Sequence, residues 1–156
     1  MVVYVKCSPN NRASTVYELF LSSVQQFGLP SRVRSDQGRE NILVAQHMLE
    51  HRGDGRGSII TGSSTHNQRI ECFWRDLHRC VTKLFYRLFY HMEQLDLLNP
   101  VNEVHIFALH YVYIPRVNKS LQEFKNGWNH HPIRTERNYS PHNCLLKEHF
   151  HCKDQG

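Results

Sequence analysis

Between residues 31 and 41 the chain reads Ser31-Arg32-Val33-Arg34-Ser35-Asp36-Gln37-Gly38-Arg39-Glu40-Asn41. This is a short strand pattern that ends on a carboxylate, turns at a glycine and enters a helix. No other stretch narrows the fold as much. In open α/β sheets ligands bind outside the carboxyl end of a strand. Asp36 occupies that place. A second carboxylate, Glu71, follows 35 positions later, near the start of a helical run opened by Thr65-His66-Asn67-Gln68-Arg69-Ile70. Two acidic residues alone prove little, because most carboxylates are solvated surface groups.

The remaining pattern supplies elements around this pair. Val2 to Lys6 is rich in β-branched and aromatic residues and reads as a strand. Ser14 can cap a helix carrying Val16, Leu19, Phe20, Val24 and Phe27 at helical spacing, with Gly28 as its stop. Glu40 to His51 is a short helix with Ile42, Leu43, Ala45, Met48 and Leu49 on its buried side, and Ser58 to Thr61 is a short strand. From about Asn67 to Leu98 the pattern is one long helix, or two joined. Its buried stripe is Ile70, Trp74, Leu77, Val81, Leu84, Leu88, Met92 and Leu95. Glu71 lies about 100° round from Ile70, on a polar face with Arg75, His78 and Thr82. As a surface group it would pair with Arg75 at i,i+4, a contact of a few tenths of a kcal/mol. Asn99-Pro100 breaks the run, and Pro115 interrupts or kinks the helix that follows. Residues 147–156 read as a frayed tail after a domain spanning 1–146.

A chain of 156 residues supports one domain with a sizeable core. Lys and Arg number 19 against 14 Asp and Glu, a formal charge of +5 that suits a phosphate-bearing partner without requiring one. The five Cys form no Cys-x-x-Cys pair, and their odd number argues for reduced thiols inside the cell, with Cys72 and Cys80 as half-buried thiols. The longest apolar stretch, Ile106 to Ile114, contains His110 and is far too short to span a bilayer, so no membrane partner is expected. Arg52-Gly53-Asp54 falls in a glycine-rich loop and reads as a flexible connection. His47 and His51 lie i,i+4 on a helix, without the paired ligand spacing of a structural zinc site.

Taken together, several segments carry a family likeness. Gly28-Leu29-Pro30 leads into Ser35-Asp36-Gln37-Gly38 and Glu40-Asn41, and this resembles the second-aspartate motif of retroviral-type integrases and related transposases. His66-Asn67-Gln68-Arg69-Ile70-Glu71 followed by Phe73-Trp74 resembles the glutamate-bearing helix of the same family. Trp128-Asn129, His131-Pro132 and Ser140-Pro141 resemble the segment closing its catalytic core. The likeness covers nearly the whole chain. It implies a ribonuclease H-like α/β fold, a mixed sheet flanked by helices.

The resemblance also implies a chemistry. Such cores cut and join DNA with three carboxylates, Asp, Asp and Glu, that hold Mg²⁺ or Mn²⁺. Asp36 and Glu71 match the second and third. The first would lie on a central strand well before the second, yet no Asp precedes Asp36, and the earlier acid Glu18 sits in a helical pattern. The expectation is therefore a core lacking its first strands, a weak metal site and poor stability. Arg34, Arg39, Arg69, Arg75 and Lys83 would contact the DNA backbone, and Asn67 and Gln68 would position a strand end. The alternative is a catalytically inactive or domesticated nucleic-acid-binding protein of the same fold. Either reading places the protein within the cell and in the nucleus, with DNA as partner and a homo-oligomer as an open option.

Overall fold

The structure is a computed structural model that describes residues 1–62 and 68–144. Most of the chain is helical, and the sheet among the described residues is a parallel pair of strands, so the architecture is α/β with a small sheet. In order come helix α1 (Ala13–Phe27), strand β1 (Val33–Ser35), a 3₁₀ turn at Arg39–Asn41, helix α2 (Ile42–Arg52) and strand β2 (Ile59–Thr61). Helix α3 (Gln68–Leu77), a π-helical turn (His78–Thr82), helix α4 (Lys83–Gln94) and the long helix α5 (Glu103–His130) follow. The chain divides into two units, Ser8–Arg75 and Met1–Cys7 with Asp76–Gly156.

In the first unit, β1 and β2 pair with Val33 opposite Ile59, Arg34 opposite Ile60 and Ser35 opposite Thr61. Parallel strands need a crossover between them, and α2 provides it. The core is Phe20 of α1 against Val44 and Met48 of α2, closed by Val16, Tyr17, Val24, Leu29, Val33 and Ile59. In the Glu40–His51 helix Met48 is buried as expected, but Ile42 and Leu49 are 62% and 42% exposed and Val44 is buried instead. Helix α1 stops where glycine was expected to stop it. Gly28 takes φ 82°, which costs a residue without Cβ nothing, and its N–H returns to the Val24 carbonyl. Arg52 bridges back to the same corner, its guanidinium donating to the Leu29 carbonyl at 2.6 Å and the Pro30 carbonyl at 3.2 Å. The Arg-Gly-Asp sequence is thus anchored through its arginine.

In the second unit, the Val2–Lys6 strand expectation needs correction. The segment belongs to no strand and lies along α5. Asn129 accepts from the Val2 N–H at 2.7 Å and donates to the Val2 carbonyl at 2.9 Å. Asn118 does the same for Cys7, at 2.8 and 3.0 Å. Lys125 adds a bond from its ammonium to the Val3 carbonyl at 2.8 Å. The spacing explains the fit. From Asn118 to Asn129 is three helical turns, about 16 Å, and from Val2 to Cys7 is about the same length of extended chain. Side-chain amides here do what a neighbouring strand would otherwise do.

Of the expected helical run, Gln68 to Gln94 is helical, but the buried stripe shifts phase. Phe73, Leu77 and Val81 are buried, whereas Ile70, Trp74, Leu84 and Leu95 are 44%, 51%, 69% and 54% exposed. At the π turn the Lys83 N–H reaches the His78 carbonyl, five residues back instead of four. One extra residue in a turn rotates everything after it by about 100°. Phe85 and Phe89 therefore replace Leu84 and Leu88 on the covered side, while Met92 stays there as expected. Phe89 meets the Tyr113 ring of α5 edge-on at 5.0 Å. Helix α5 begins at Asn102, whose side chain accepts from the Val104 and His105 N–H groups. It runs through Pro115 without ending. Pro115 and Tyr111, the residue whose carbonyl loses its partner, are both exposed, so water can take the vacant bond. The 147–156 tail lies outside the described residues.

Candidate functional site

Strand β1 delivers Asp36 one residue past its last ladder position. The local turn then fixes the carboxylate. Asp36 Oδ1 accepts from the Gly38 N–H at 3.3 Å and from the Asn41 side-chain amide at 3.0 Å. This is an Asx turn, in which a short acidic side chain bonds its own backbone two residues on. Both bonds fall on one oxygen. The side chain is exposed, which leaves Oδ2 turned to its surroundings.

Glu40 folds back over the same turn. A Cβ placed on Gly38 would come within 2.5 Å of Glu40 Oε1, so the glycine makes room for this second carboxylate. Neither Asn41 nor Glu40 was singled out as a site residue by sequence reading. Part of the signal was available in the strand-Asp-x-Gly turn, since an Asx side chain bonds the backbone two residues on, but nothing in that pattern marks Asn41 or Glu40.

The partner strand leaves the sheet at the same end. Gly62, just past β2, donates its N–H to the Ser35 carbonyl at 3.3 Å, so the exits of β1 and β2 lie side by side. From β2 the chain leads on to α3, where Glu71 is in the first turn and exposed. A carboxylate near a helix start is favoured by the exposed N–H groups there.

Of the other expected residues, Arg34 is exposed on β1 and Arg39 is exposed in the 3₁₀ turn, so both share the Asp36 corner. Arg75 is exposed on α3, one turn after Glu71, and Lys83 opens α4 in the other unit. Gln68 and Arg69 belong to the backbone of α3, and Asn67 lies outside the described residues with His66. Among the described residues no three His, Cys, Asp or Glu side chains gather into a metal-sized group. Cys72 and Cys80, expected to be half-buried, are exposed.

Away from this corner, the Tyr17 hydroxyl lies 3.0 Å from His47 Nδ1, and the His47 ring stacks on His51 with centroids 3.9 Å apart. Burial holds His47 below the usual histidine range, His51 adds to the effect and Glu50 opposes it.

No helix among the described residues is long and apolar enough to cross a membrane. No curated protein and no solved structure matches the chain. A family model described as an integrase core domain matches residues 1–156. An Asp-bearing strand exit beside the strand that leads to a Glu-bearing helix is in keeping with that match, and the chain belongs to the integrase core domain family.

Proposed function

We propose that this chain is a ribonuclease H-like core, spanning about residues 1–146, for metal-dependent cleavage and transfer of DNA strands. The observation that supports it most is the shared exit of β1 and β2, through which Asp36 and the segment leading to Glu71 depart from one edge of the sheet. Asp36 and Glu71 would hold Mg²⁺ or Mn²⁺. Carboxylate oxygens are the hard ligands such ions take, and Mg²⁺ sites commonly use one or two carboxylates plus substrate phosphate and water. Asp36 fits the task, because Gly38 and Asn41 occupy Oδ1 and orient the group while Oδ2 stays open. When bound, the ion would activate a water or a 3′-hydroxyl and neutralise charge on the phosphate.

The chain's own residues do the rest. Asn41 keeps the Asp36 carboxylate from rotating, and Arg34 and Arg39 attract the phosphate backbone to the same corner. Arg69, Arg75 and Lys83 extend the basic contacts, and Asn67 and Gln68 position the strand end. Phosphate contacts of this kind set register without reading sequence. Such a protein would act in the nucleus.

The test is Mn²⁺-dependent nicking of a labelled DNA duplex by the chain and by Asp36→Asn and Glu71→Gln, with salt-dependent binding measured on the same samples. The expected result is at least a hundredfold loss of nicking in both variants, with DNA binding kept. Undiminished nicking would remove both residues from the site. Salt-sensitive binding with no nicking by the parent chain would favour the second reading, a nucleic-acid-binding protein of this fold without catalysis.

A further inference from the structure

On α2, beside α1, two histidines lie one helical turn apart. The His47 and His51 rings stack, with centroids 3.9 Å and planes 20° apart. Each ring is held through Nδ1. His51 Nδ1 donates to the His47 carbonyl at 2.9 Å, and His47 Nδ1 meets the Tyr17 hydroxyl of α1 at 3.0 Å. Phe20 packs edge-on against the His47 ring, with centroids 5.6 Å apart. A neutral ring whose Nδ1–H donates to an oxygen keeps its lone pair on Nε2. Histidines that bind metals are held in this way, because the oxygen fixes which nitrogen is offered to the ion. The Tyr17 hydroxyl can accept that hydrogen as well as donate its own, so His47 meets the same condition.

The local sequence points the same way. His47-Met48-Leu49-Glu50-His51 has the His-x-x-Glu-His spacing, in which two histidines at i,i+4 on one helix face share a zinc ion. Such a short motif recurs by chance. Here it falls on a helix with the two rings already side by side, which is the context it needs.

We propose that His47 and His51 bind a divalent cation of the zinc class (Zn²⁺, Cu²⁺ or Ni²⁺) through both Nε2 atoms, with water in the remaining positions. Imidazole suits these ions, whereas Mg²⁺ and Mn²⁺ prefer carboxylate and water. The site is therefore separate from Asp36 and Glu71 in chemistry as well as in place. Two imidazoles on one ion, each nitrogen at about 2.0–2.1 Å, stand with ring centres roughly 4.5–5 Å apart, so the stack has to open by about 1 Å. His51 is exposed and can swing outward while Tyr17 and Phe20 keep His47 in place. Glu50 Oε1 accepts from the Gln46 amide at 3.1 Å, and the pair of imidazoles, not a third protein ligand, defines the site. The ion would clip the last turn of α2 and, through Tyr17, tie it to α1. Arg52, the next residue, already fastens that turn to the Leu29 and Pro30 carbonyls.

The experiment is a Zn²⁺ titration of the full chain with isotope-labelled histidine, following the imidazole nitrogens by NMR at about pH 7.5, where the rings are neutral. This reads each of the 12 histidines separately. We expect the Nε2 signals of His47 and His51 to shift together and to saturate together. His51→Gln should weaken Zn²⁺ binding at His47 at least tenfold, and Tyr17→Phe should weaken binding by the pair about tenfold, the scale for an outer partner of a metal ligand. His51 is exposed, so its replacement leaves the core intact. Zn²⁺ should also raise the urea midpoint of the parent chain more than that of His51→Gln, since a ligand of the folded state stabilises it. Signals that move independently, Zn²⁺ shifts confined to other histidines, or a His47 that binds equally well in His51→Gln would each overturn the proposal. Asp36→Asn combined with Glu71→Gln should leave this binding unchanged, so the result is independent of the proposed catalysis.

Discussion

Asp36 shows how much one residue's neighbours decide. Its Oδ1 is committed to the turn and its Oδ2 is not, so the same side chain closes a loop and presents an oxygen. The thiols divide by surroundings in a similar way. Cys7 sits under α5 with its backbone clipped by Asn118, and burial raises its pKa, whereas Cys72 and Cys80 are exposed on the helical run from α3 to the π turn. Because the thiolate is the reactive form, alkylation should follow that order. Iodoacetamide with peptide mass mapping should show Cys72 and Cys80 modified at least tenfold faster than Cys7. Equal rates would mean the N-terminal segment spends much of its time away from α5.

At the scale of elements, sequence patterns carried far where local chemistry decides the outcome. Gly28 was legible as the end of α1 because only a residue without Cβ takes its φ cheaply. Asp36 was legible at the end of β1 because a short strand pattern, an Asp and a Gly-bearing turn follow one another. The long helix was legible in extent but not in phase, since a π turn leaves no signature in hydrophobic spacing and rotates the stripe after His78. Pro115 was read as an interruption or a kink because proline removes one helical hydrogen bond, but the pattern could not say that the residues around the lost bond would be exposed. Elements this small also depend heavily on single contacts. Met48 is fully buried between α1 and α2 in a unit whose strands are three residues each. Met48→Ala should cost about 2–5 kcal/mol, read as a shift in the urea midpoint. A loss below about 0.5 kcal/mol would mean the site collapses around the missing side chain.

For the whole molecule, stability should depend on acidity through His47. Burial lowers its pKa in the folded state below the ordinary 6.5, so above that value both states are neutral and its contribution is fully present. As pH falls through 6.5 the unfolded chain takes up the proton first, and stability drops until the folded pKa is passed. The chain has 12 histidines, so the informative quantity is a difference between variants. On going from about pH 7.5 to about 5.5, the Tm of the parent chain should fall more than that of His47→Gln. Equal slopes would place the sensitivity elsewhere.

The clasp between Val2–Cys7 and α5 has a consequence in time. Its partners are 127 and 111 residues apart in sequence. During synthesis at about 5–20 residues per second, Val2 waits roughly 6–25 s before Asn129 has even been made. For that interval a stretch rich in valine and tyrosine stays extended and unclaimed on the nascent chain. The cell, more than the finished fold, has to keep it from pairing with something else.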